Sequence, residues 1–360
     1  MSADPMILWL DDPAAARNPI LGGKFSSLGD STAAGLPVPP GFGITTCAYR
    51  AFMAETGLQE DAARVRRICA DLPPEKITAQ TRDLVTGILT RPLPPALEAE
   101  VRAAYAELAR RTAMADVAVA VRSSGESEDL AGASFAGQYE TFLWIQGADA
   151  VVDHMRRCWA GMFGDAVLSY RHNGEAVAAT GDFAICVGVQ HMVAARAAGV
   201  MFTLDPITGD RSKISIEACW GLGEGVVKGD VTPSQFLVDK VMFSVLKRKV
   251  AAQTEEYRFD AAAGRVDFLP LKMECSEASC LSDEEVLALA RLAKRIEKDR
   301  GAPQDIEWAI GPDGRIAVLQ VRPETVWSSK AARPIQPVTS PISHVLARMS
   351  GAVSTTKTPS

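Results

Sequence analysis

The sequence has no CxxC pair among its seven cysteines, no basic stripe, and no apolar run near the roughly 20 residues a membrane span needs. Each absence excludes a class. Cysteines without metal spacing leave no zinc finger or ribbon. An odd number of scattered thiols, with Cys69, Cys158, Cys186 and Cys219 in apolar surroundings, predicts buried, reduced cysteines and a cytoplasmic protein. A net charge of −6 and a pI near 5.4 give no electrostatic footprint for a nucleic-acid partner. The opening residues, MSADPMILWLDD, place acids behind a short apolar run and lack a basic start, unlike a secretory leader, and no membrane partner is expected. Histidine is scarce too: His154, His172, His191 and His344 are the four.

What is present is ordinary globular composition, 47% hydrophobic and 23% charged over 360 residues, with room for about two or three packed units. The most informative stretch is 304–323, QDIEWAIGPDGRIAVLQVRP, which predicts a β-hairpin. Gly311-Pro312-Asp313-Gly314 has turn chemistry. With those residues as the loop, Ile310 faces Arg315, Glu307 faces Val318 and Asp305 faces Gln320. Side chains alternate with period two, so Asp305, Glu307, Gln320 and Arg322 share one face. Ile306, Trp308, Ile310, Leu319 and Val321 share the other, which must be core. Two carboxylates and an amide oxygen suit Mg²⁺, and Arg suits phosphate. A half-exposed hairpin with a solvated polar face fits the same residues, and a one-residue slip would scatter the cluster.

In chain order, Met6 to Leu10 predicts a strand. Gly22-Gly23-Lys24 follows, then a helix from Ser26 to about Ala34. The glycines and lysine are not a Walker A loop, because position 18 is Asn and position 25 is Phe, and they read as a turn. Residues 47–115 predict helices, with Val101, Tyr105 and Leu108 forming one apolar stripe. Asp116 to Val121 predicts a buried strand ending at Arg122. A charge there needs a partner, either an acid from the following loop or an anionic ligand. The small-residue loop from Leu130 to Gln138 can bring backbone N–H groups close to phosphates, although most such loops bind nothing. Glu140 to Ile145 predicts a strand, Ala148 to His172 a helix and Phe183 to Gln190 a strand. The linker after it, with Met192 and Val193, can meet a purine edge; a plain connection fits equally. GLGEG opens no βαβ unit with a ribose acid, which excludes a Rossmann reading. Ser282 to Glu285 is a capping box, starting a helix with Val286, Leu289, Ala293 and Ile296 on one face. Beyond Trp327 the chain is polar and Pro-rich, as in a linker or tail.

Five stretches carry a family resemblance: GGKFSSLGDSTAAGLPVPPGFGITT, VAVRSSGESEDLAGASFAGQYETFL, VQHMV with GVMFTLDPITGD, GLGEGVVKGDVTPSQFLV, and DIEWAI with LQVRPET. In this order they resemble the N-terminal nucleotide-binding part of phosphoenolpyruvate synthase and pyruvate phosphate dikinase. The resemblance implies an α/β (α+β) chain with an ATP-grasp-like fold whose two lobes close on ATP. Residues 1–195 would form the N-terminal lobe or lobes, 196–327 the C-terminal lobe with the hairpin, and 328–360 a flexible tail. It further implies that Lys24 and Arg122 contact ATP phosphates under the loop containing Gly132, Ser134 and Gly137. Gln190, Met192 and Val193 would hold adenine. Glu307 and Gln320 would hold Mg²⁺, with Asp305 beside them, and Arg322 would bind phosphate. Lys24, Arg122 and Arg322 would then serve catalysis, because phosphoryl transfer depends on positioning and charge neutralisation.

Full-length members of that family continue into a swivelling domain with a catalytic histidine and then an acceptor-binding barrel. The histidine takes a pyrophosphoryl group from ATP and releases AMP; phosphate is lost, and the phosphohistidine moves to the acceptor. The expectation is therefore the ATP-binding subunit of a split dikinase, in which a separate subunit carries the phosphohistidine and the acceptor site. In layout it most resembles phenylphosphate synthase, where ATP, phenol and water give phenylphosphate, AMP and phosphate. A pyruvate-using phosphoenolpyruvate synthase, a rifampin-phosphotransferase-like system and a non-catalytic nucleotide sensor are the alternatives. His344, in SPISHVLARMSG, echoes the family's histidine segment, and Ala166 stands where relatives often have Arg.

Overall fold

Strand β1 (Ile7–Trp9) pairs antiparallel with β2 (Gly41–Ile44) in a computed structural model that describes residues 4–125, 140–169, 171–172, 175–176 and 184–327. Two 3-10 turns, Pro13–Ala15 and Pro19–Leu21, lie between them. The Asp12 and Asn18 side chains accept from the backbone N–H groups of Ala14 and Ile20, and a proline opens each turn. Helix α1 (Gly22–Ala33) follows. It begins earlier than the predicted Ser26, so the Gly-Gly-Lys segment is a first helical turn and not a separate one. Two glycines are poor helix formers, and tertiary packing overrides that here.

Helices α2 (Thr46–Glu55), α3 (Gln59–Cys69), α4 (Pro74–Thr90) and α5 (Pro95–Thr112) fill the predicted helical stretch. Prolines open α4 and α5, where a missing N–H costs nothing. Val101, Tyr105 and Leu108 are buried as their spacing predicts. Next come β3 (Val119–Gly125), β4 (Thr141–Ile145), α6 (Ala148–Gly161), α7 (Asp165–Leu168), the two-residue strands β5 (Arg171–His172) and β6 (Glu175–Ala176), and β7 (Ile185–His191). The helix expected to reach His172 stops at Gly161. A tight turn there buries Met162 and Phe163, and Gly164 caps α7.

The first sheet has the order β1-β2-β7-β3-β4 and is antiparallel throughout. Val119, Val121, Val187, Val189, Phe42 and Ile44 point into a core shared with α2 to α6. Within it Phe52 stacks on Trp159 at 5.1 Å. The opposite face receives Leu21 from the turn before α1 and Phe25 and Leu28 from α1 itself. Cys69, Cys158, Cys186 and Cys219 are buried free thiols, as their surroundings predict. Burial pushes the Cys158 and Cys219 thiols up to about 12.

The second sheet has the order β11-β10-β9-β8-β14-β15. Its strands are β8 (Ala197–Phe202), β9 (Lys213–Trp220), β10 (Ser234–Asp239), β11 (Val245–Lys249), β14 (Gln304–Ile310) and β15 (Ile316–Pro323). Helix α8 (Glu224–Lys228) and a separate hairpin, β12 (Glu255–Asp260) with β13 (Arg265–Pro270), lie between these strands in sequence. Helix α9 (Asp283–Arg300) starts at the predicted capping box: Ser282 accepts from the Glu285 N–H, and Glu285 accepts from the Ser282 N–H. Its Val286, Leu289, Ala293 and Ile296 pack against Ile216, Phe236, Ile306 and Trp308. Burying each large apolar side chain contributes roughly 1.5–3 kcal/mol.

The hairpin register differs from the expected one. Ile310 pairs with Ile316, so the loop runs from Gly311 to Arg315. Asp313 accepts from the Arg315 N–H at 3.0 Å, and Gly314 takes a φ of +77°, which closes the turn one residue later. A bulge at Glu307/Trp308 then leaves Leu319 without a cross-strand partner. Glu307 faces Gln320 and Asp305 faces Arg322, so the expected polar face survives the change of register. Val318, not Leu319, fills the core position.

The chain divides into two compact units, Met1–Thr325 and Val326–Ser360, and both sheets belong to the first. Among the described residues no helix is long and apolar enough to cross a membrane.

Candidate active site

Helix α1 is held close to the first sheet by glycines. A Cβ at Gly188 would overlap the Phe25 ring, and one at Gly43 would overlap Leu21. Gly22 has φ +64°, and a Cβ on it would overlap the Ser124 carbonyl. The Phe25 N–H donates to Ser124 Oγ at 3.2 Å, and that hydroxyl donates to the Leu21 carbonyl at 2.8 Å. These contacts seat the first turn, with half-buried Lys24, on β3 two residues beyond Arg122. The other side of α1 meets the hairpin. Ser27 Oγ donates to the Val321 carbonyl at 2.6 Å. Arg300, at the end of α9, donates to the Ser27 carbonyl and Ser31 Oγ, each at 2.8 Å, and pairs with Asp30.

Arg122 therefore points from the first sheet onto the polar face of β14 and β15. Its Nη1 donates to the Leu319 carbonyl at 2.9 Å. Its Nη2 donates to Glu307 Oε2 at 3.1 Å and to Gln320 Oε1 at 3.0 Å. The acid that the strand-end arginine meets lies 185 residues away. The side chains are 11% exposed for Arg122 and 25% for Glu307. Arg122 Nε is buried and has no hydrogen-bond partner among the described residues. The bulge explains the carbonyl contact, since it releases Leu319 from the ladder.

The second pair on this face is Asp305 with Arg322, whose Nε donates to Oδ2 at 2.8 Å. Burial pushes the Asp305 carboxyl up, and the Arg322 guanidinium pulls it back. Asp305 thus faces Arg322, while Glu307 and Gln320 converge on one point. Both of their oxygens lie within hydrogen-bonding distance of the same nitrogen, the placement that two ligands of one small hard cation need. The donor set fits Mg²⁺, which takes one or two carboxylates and fills its remaining positions with water and phosphate oxygens. Among the described residues no cluster of three or more His, Cys, Asp or Glu side chains forms a metal site by itself.

The linker from β7 to β8 joins the two sheets. Gln190 is 2% exposed, and its amide donates to the Pro39 carbonyl at 3.4 Å, so this side chain turns into the protein. The His191 N–H donates to the Pro40 carbonyl at 2.8 Å, and the Met192 N–H to the Ala118 carbonyl at 2.9 Å. Met192 and Val193 keep half-buried side chains. Gly132, Ser134, Gly137 and His344 lie outside the described residues. His154 is a packing residue: Nδ1 lies 2.7 Å from the Ala150 carbonyl and the ring stands edge-on to Phe142.

Sequence reasoning missed Ser124, the Leu319 carbonyl and Glu217. Glu217 lies on the same sheet face as Glu307, across Val200, and accepts from Gln235 at 3.1 Å. The alternation of Ile214, Ile216 and Ala218 with Ser215 and Glu217 carried that signal. A recess of about 530 Å³ runs beside Gly22, Gly23, Ser26, Gln304 and Val321, and another of about 640 Å³ lies between α4 and α6; Arg122 lines neither.

Comparison with known proteins identifies the family. Residues 18–340 match the family described as pyruvate phosphate dikinase, AMP/ATP-binding domain. A probable phosphoenolpyruvate synthase of Staphylothermus marinus is 38% identical over 354 residues, covering 89% of this chain and 41% of that protein. A probable phosphoenolpyruvate synthase of Methanothermobacter thermautotrophicus is 40% identical over 309 residues, covering 85% of this chain and 44% of that protein. The phosphoenolpyruvate synthase of Neisseria meningitidis serogroup B is 38% identical over 350 residues, covering 91% and 43%. The chain spans less than half the length of these curated relatives. With a family match over most of its length, the chain belongs to the pyruvate phosphate dikinase AMP/ATP-binding domain family.

Proposed function

We propose that this chain binds Mg-ATP between its two sheets, as two ATP-grasp-like lobes, and supplies the nucleotide half of a phosphoenolpyruvate synthase-type phosphotransfer. The observation that carries this reading is the convergence of Arg122 from β3 with Glu307 and Gln320 from the hairpin. Met192 and Val193 offer apolar contact to adenine along the linker. Lys24, Arg122 and Arg322 neutralise phosphate charge, the two arginines through bidentate contacts and the lysine as a point charge. Glu307 and Gln320 hold Mg²⁺, which when bound withdraws charge from the phosphate oxygens. Met192, Val193 and these cations together fix the nucleotide in one orientation, and positioning of this kind supplies most of the catalysis in phosphoryl transfer.

The histidine that accepts the phosphoryl group and the acceptor site belong, in this reading, to domains other than the ATP-binding one. The relatives named above support phosphoenolpyruvate and pyruvate chemistry. None of them supports phenol, so the phenylphosphate reading is set aside. The test is calorimetric titration of the isolated chain with ATP and Mg²⁺, followed by AMP assays with and without the histidine-bearing domain. The chain alone should bind Mg-ATP and form little AMP. Glu307→Ala should weaken Mg-ATP binding about 10–100-fold, the range for losing a contact to a charged group. Acceptor phosphorylation by the isolated chain would overturn the division of labour, and turnover with phenol but not pyruvate would overturn the acceptor.

A further inference from the structure

We infer that Arg122 gates the cation site: without nucleotide its guanidinium occupies the point on which Glu307 and Gln320 converge, so a divalent cation enters only after an anion has drawn the arginine away. This rests on the proposed role of Glu307 and Gln320 as cation ligands. One nitrogen, Nη2, lies 3.1 Å from Glu307 Oε2 and 3.0 Å from Gln320 Oε1. A Mg²⁺ ion bound to the same two oxygens sits about 2.0–2.1 Å from each. An ion entering on the side of these oxygens that the guanidinium occupies would stand within van der Waals contact of that nitrogen, and both are positive. The site holds one or the other.

The parked arginine has a second anchor, the Leu319 carbonyl at 2.9 Å, which the β-bulge makes available. Its Nε meanwhile stays buried with no acceptor among the described residues. The resting position therefore leaves one donor of the guanidinium unused. A phosphate chain offers paired oxygens to that fork and exceeds what the resting contacts supply. Nucleotide phosphates would both remove the block and bring the remaining oxygen ligands, so nucleotide and cation bind with positive coupling. Free Mg²⁺ alone would find the site closed.

The experiment is titration of the full chain with Mn²⁺ alone, followed by the paramagnetic resonance signal of the free ion. Wild type, Arg122→Met, Arg122→Gln and the double variant Arg122→Met/Glu307→Gln are compared, with thermal melts to confirm folding. The gate predicts Mn²⁺ binding about tenfold tighter in Arg122→Met than in wild type, with the gain lost in the double variant. Arg122→Gln should show the same tightening and serves if the methionine variant does not fold. Equal Mn²⁺ affinity in wild type and both single variants would overturn the gate. Glu307→Gln titrated with Mn²⁺ and ATP together separates the two levels. If Glu307→Gln weakens that binding while the Arg122 variants do not tighten Mn²⁺, the gate is wrong and the ligand reading stands. If Glu307→Gln changes nothing, the ligand reading itself fails and the gate falls with it.

Discussion

Gly43 in β2 and Gly188 in β7 lie directly opposite each other, and the shallow patch they leave on the sheet is filled by Leu21 and Phe25. Side chains at either position would lift α1 off the strands. Lys24 rides on that helix beside Phe25, so the two glycines set the distance between Lys24 and Arg122.

The first prediction follows from this contact. Gly188→Ala puts a methyl group into the Phe25 ring. Overpacking of this kind costs typically about 1–3 kcal/mol, and more where backbone must move. Denaturant unfolding should show the loss. Gly188→Ala combined with Phe25→Leu should recover part of it, because the clash is with the ring and not with the backbone. Equal instability of single and double variants would show that the cost comes from strand geometry.

Trp144 lies on the edge strand β4 with φ +61° and stacks on Phe259 of β12, ring centroids 4.7 Å apart and planes 12° from parallel. This stack ties the first sheet to the β12–β13 hairpin. A double-mutant cycle with Trp144→Ala and Phe259→Ala should return a coupling of about 0.5–1.5 kcal/mol, the range for an aromatic pair beyond area burial. Strict additivity of the two single effects would show that the rings touch without binding the elements together.

The pH dependence of stability has a local source in His191, at the end of β7. Burial lowers its pKa from the ordinary 6.5, so the folded protein prefers the neutral ring. Above 6.5 the ring is neutral in both folded and unfolded chains and contributes no slope. Below that value the unfolded chain takes up the proton first, so stability falls as pH drops from 6.5 toward the lowered folded value, and the slope then ends. Denaturant midpoints measured from about pH 7.5 to 5.5 should fall more steeply for wild type than for His191→Gln. Parallel curves would assign the acid sensitivity to other groups.

The residues of the polar hairpin face were legible because a strand alternates with period two, and Asp305, Glu307, Gln320 and Arg322 obey it. Their register was not. No residue type marks Leu319 as the extra residue of a bulge, and the loop is closed by an Asp313 side-chain bond that turn statistics do not show. The helix reading of 47–115 held, because apolar stripes and N-terminal prolines act locally. The start of α1 and the break after Gly161 escaped, since both depend on what the segment packs against. The pairing of Arg122 with Glu307 could only be framed as a demand. A buried charge needs a partner, but nothing local says that it comes from 185 residues downstream.

The bulge itself can be tested. Deleting Leu319 would let Val318 and Gln320 continue one regular ladder, keeping Val318 opposite Trp308 and Gln320 opposite Glu307. The shortened strand keeps every apolar core side chain of β15, because Val318 and Val321 are the buried apolar residues there and Leu319 is not. The carbonyl that accepts from Arg122 Nη1 would be lost. A hydrogen bond from a charged group is worth about 1.5–3 kcal/mol, so the arginine should be held less firmly over Glu307 and Gln320. The deletion variant is therefore expected to fold, to melt somewhat lower, and to show weaker coupling between Arg122→Met and Glu307→Gln in a stability cycle than the full-length strand does. Unchanged coupling would mean that Glu307 and Gln320 hold the guanidinium unaided and that the bulge serves only the hairpin.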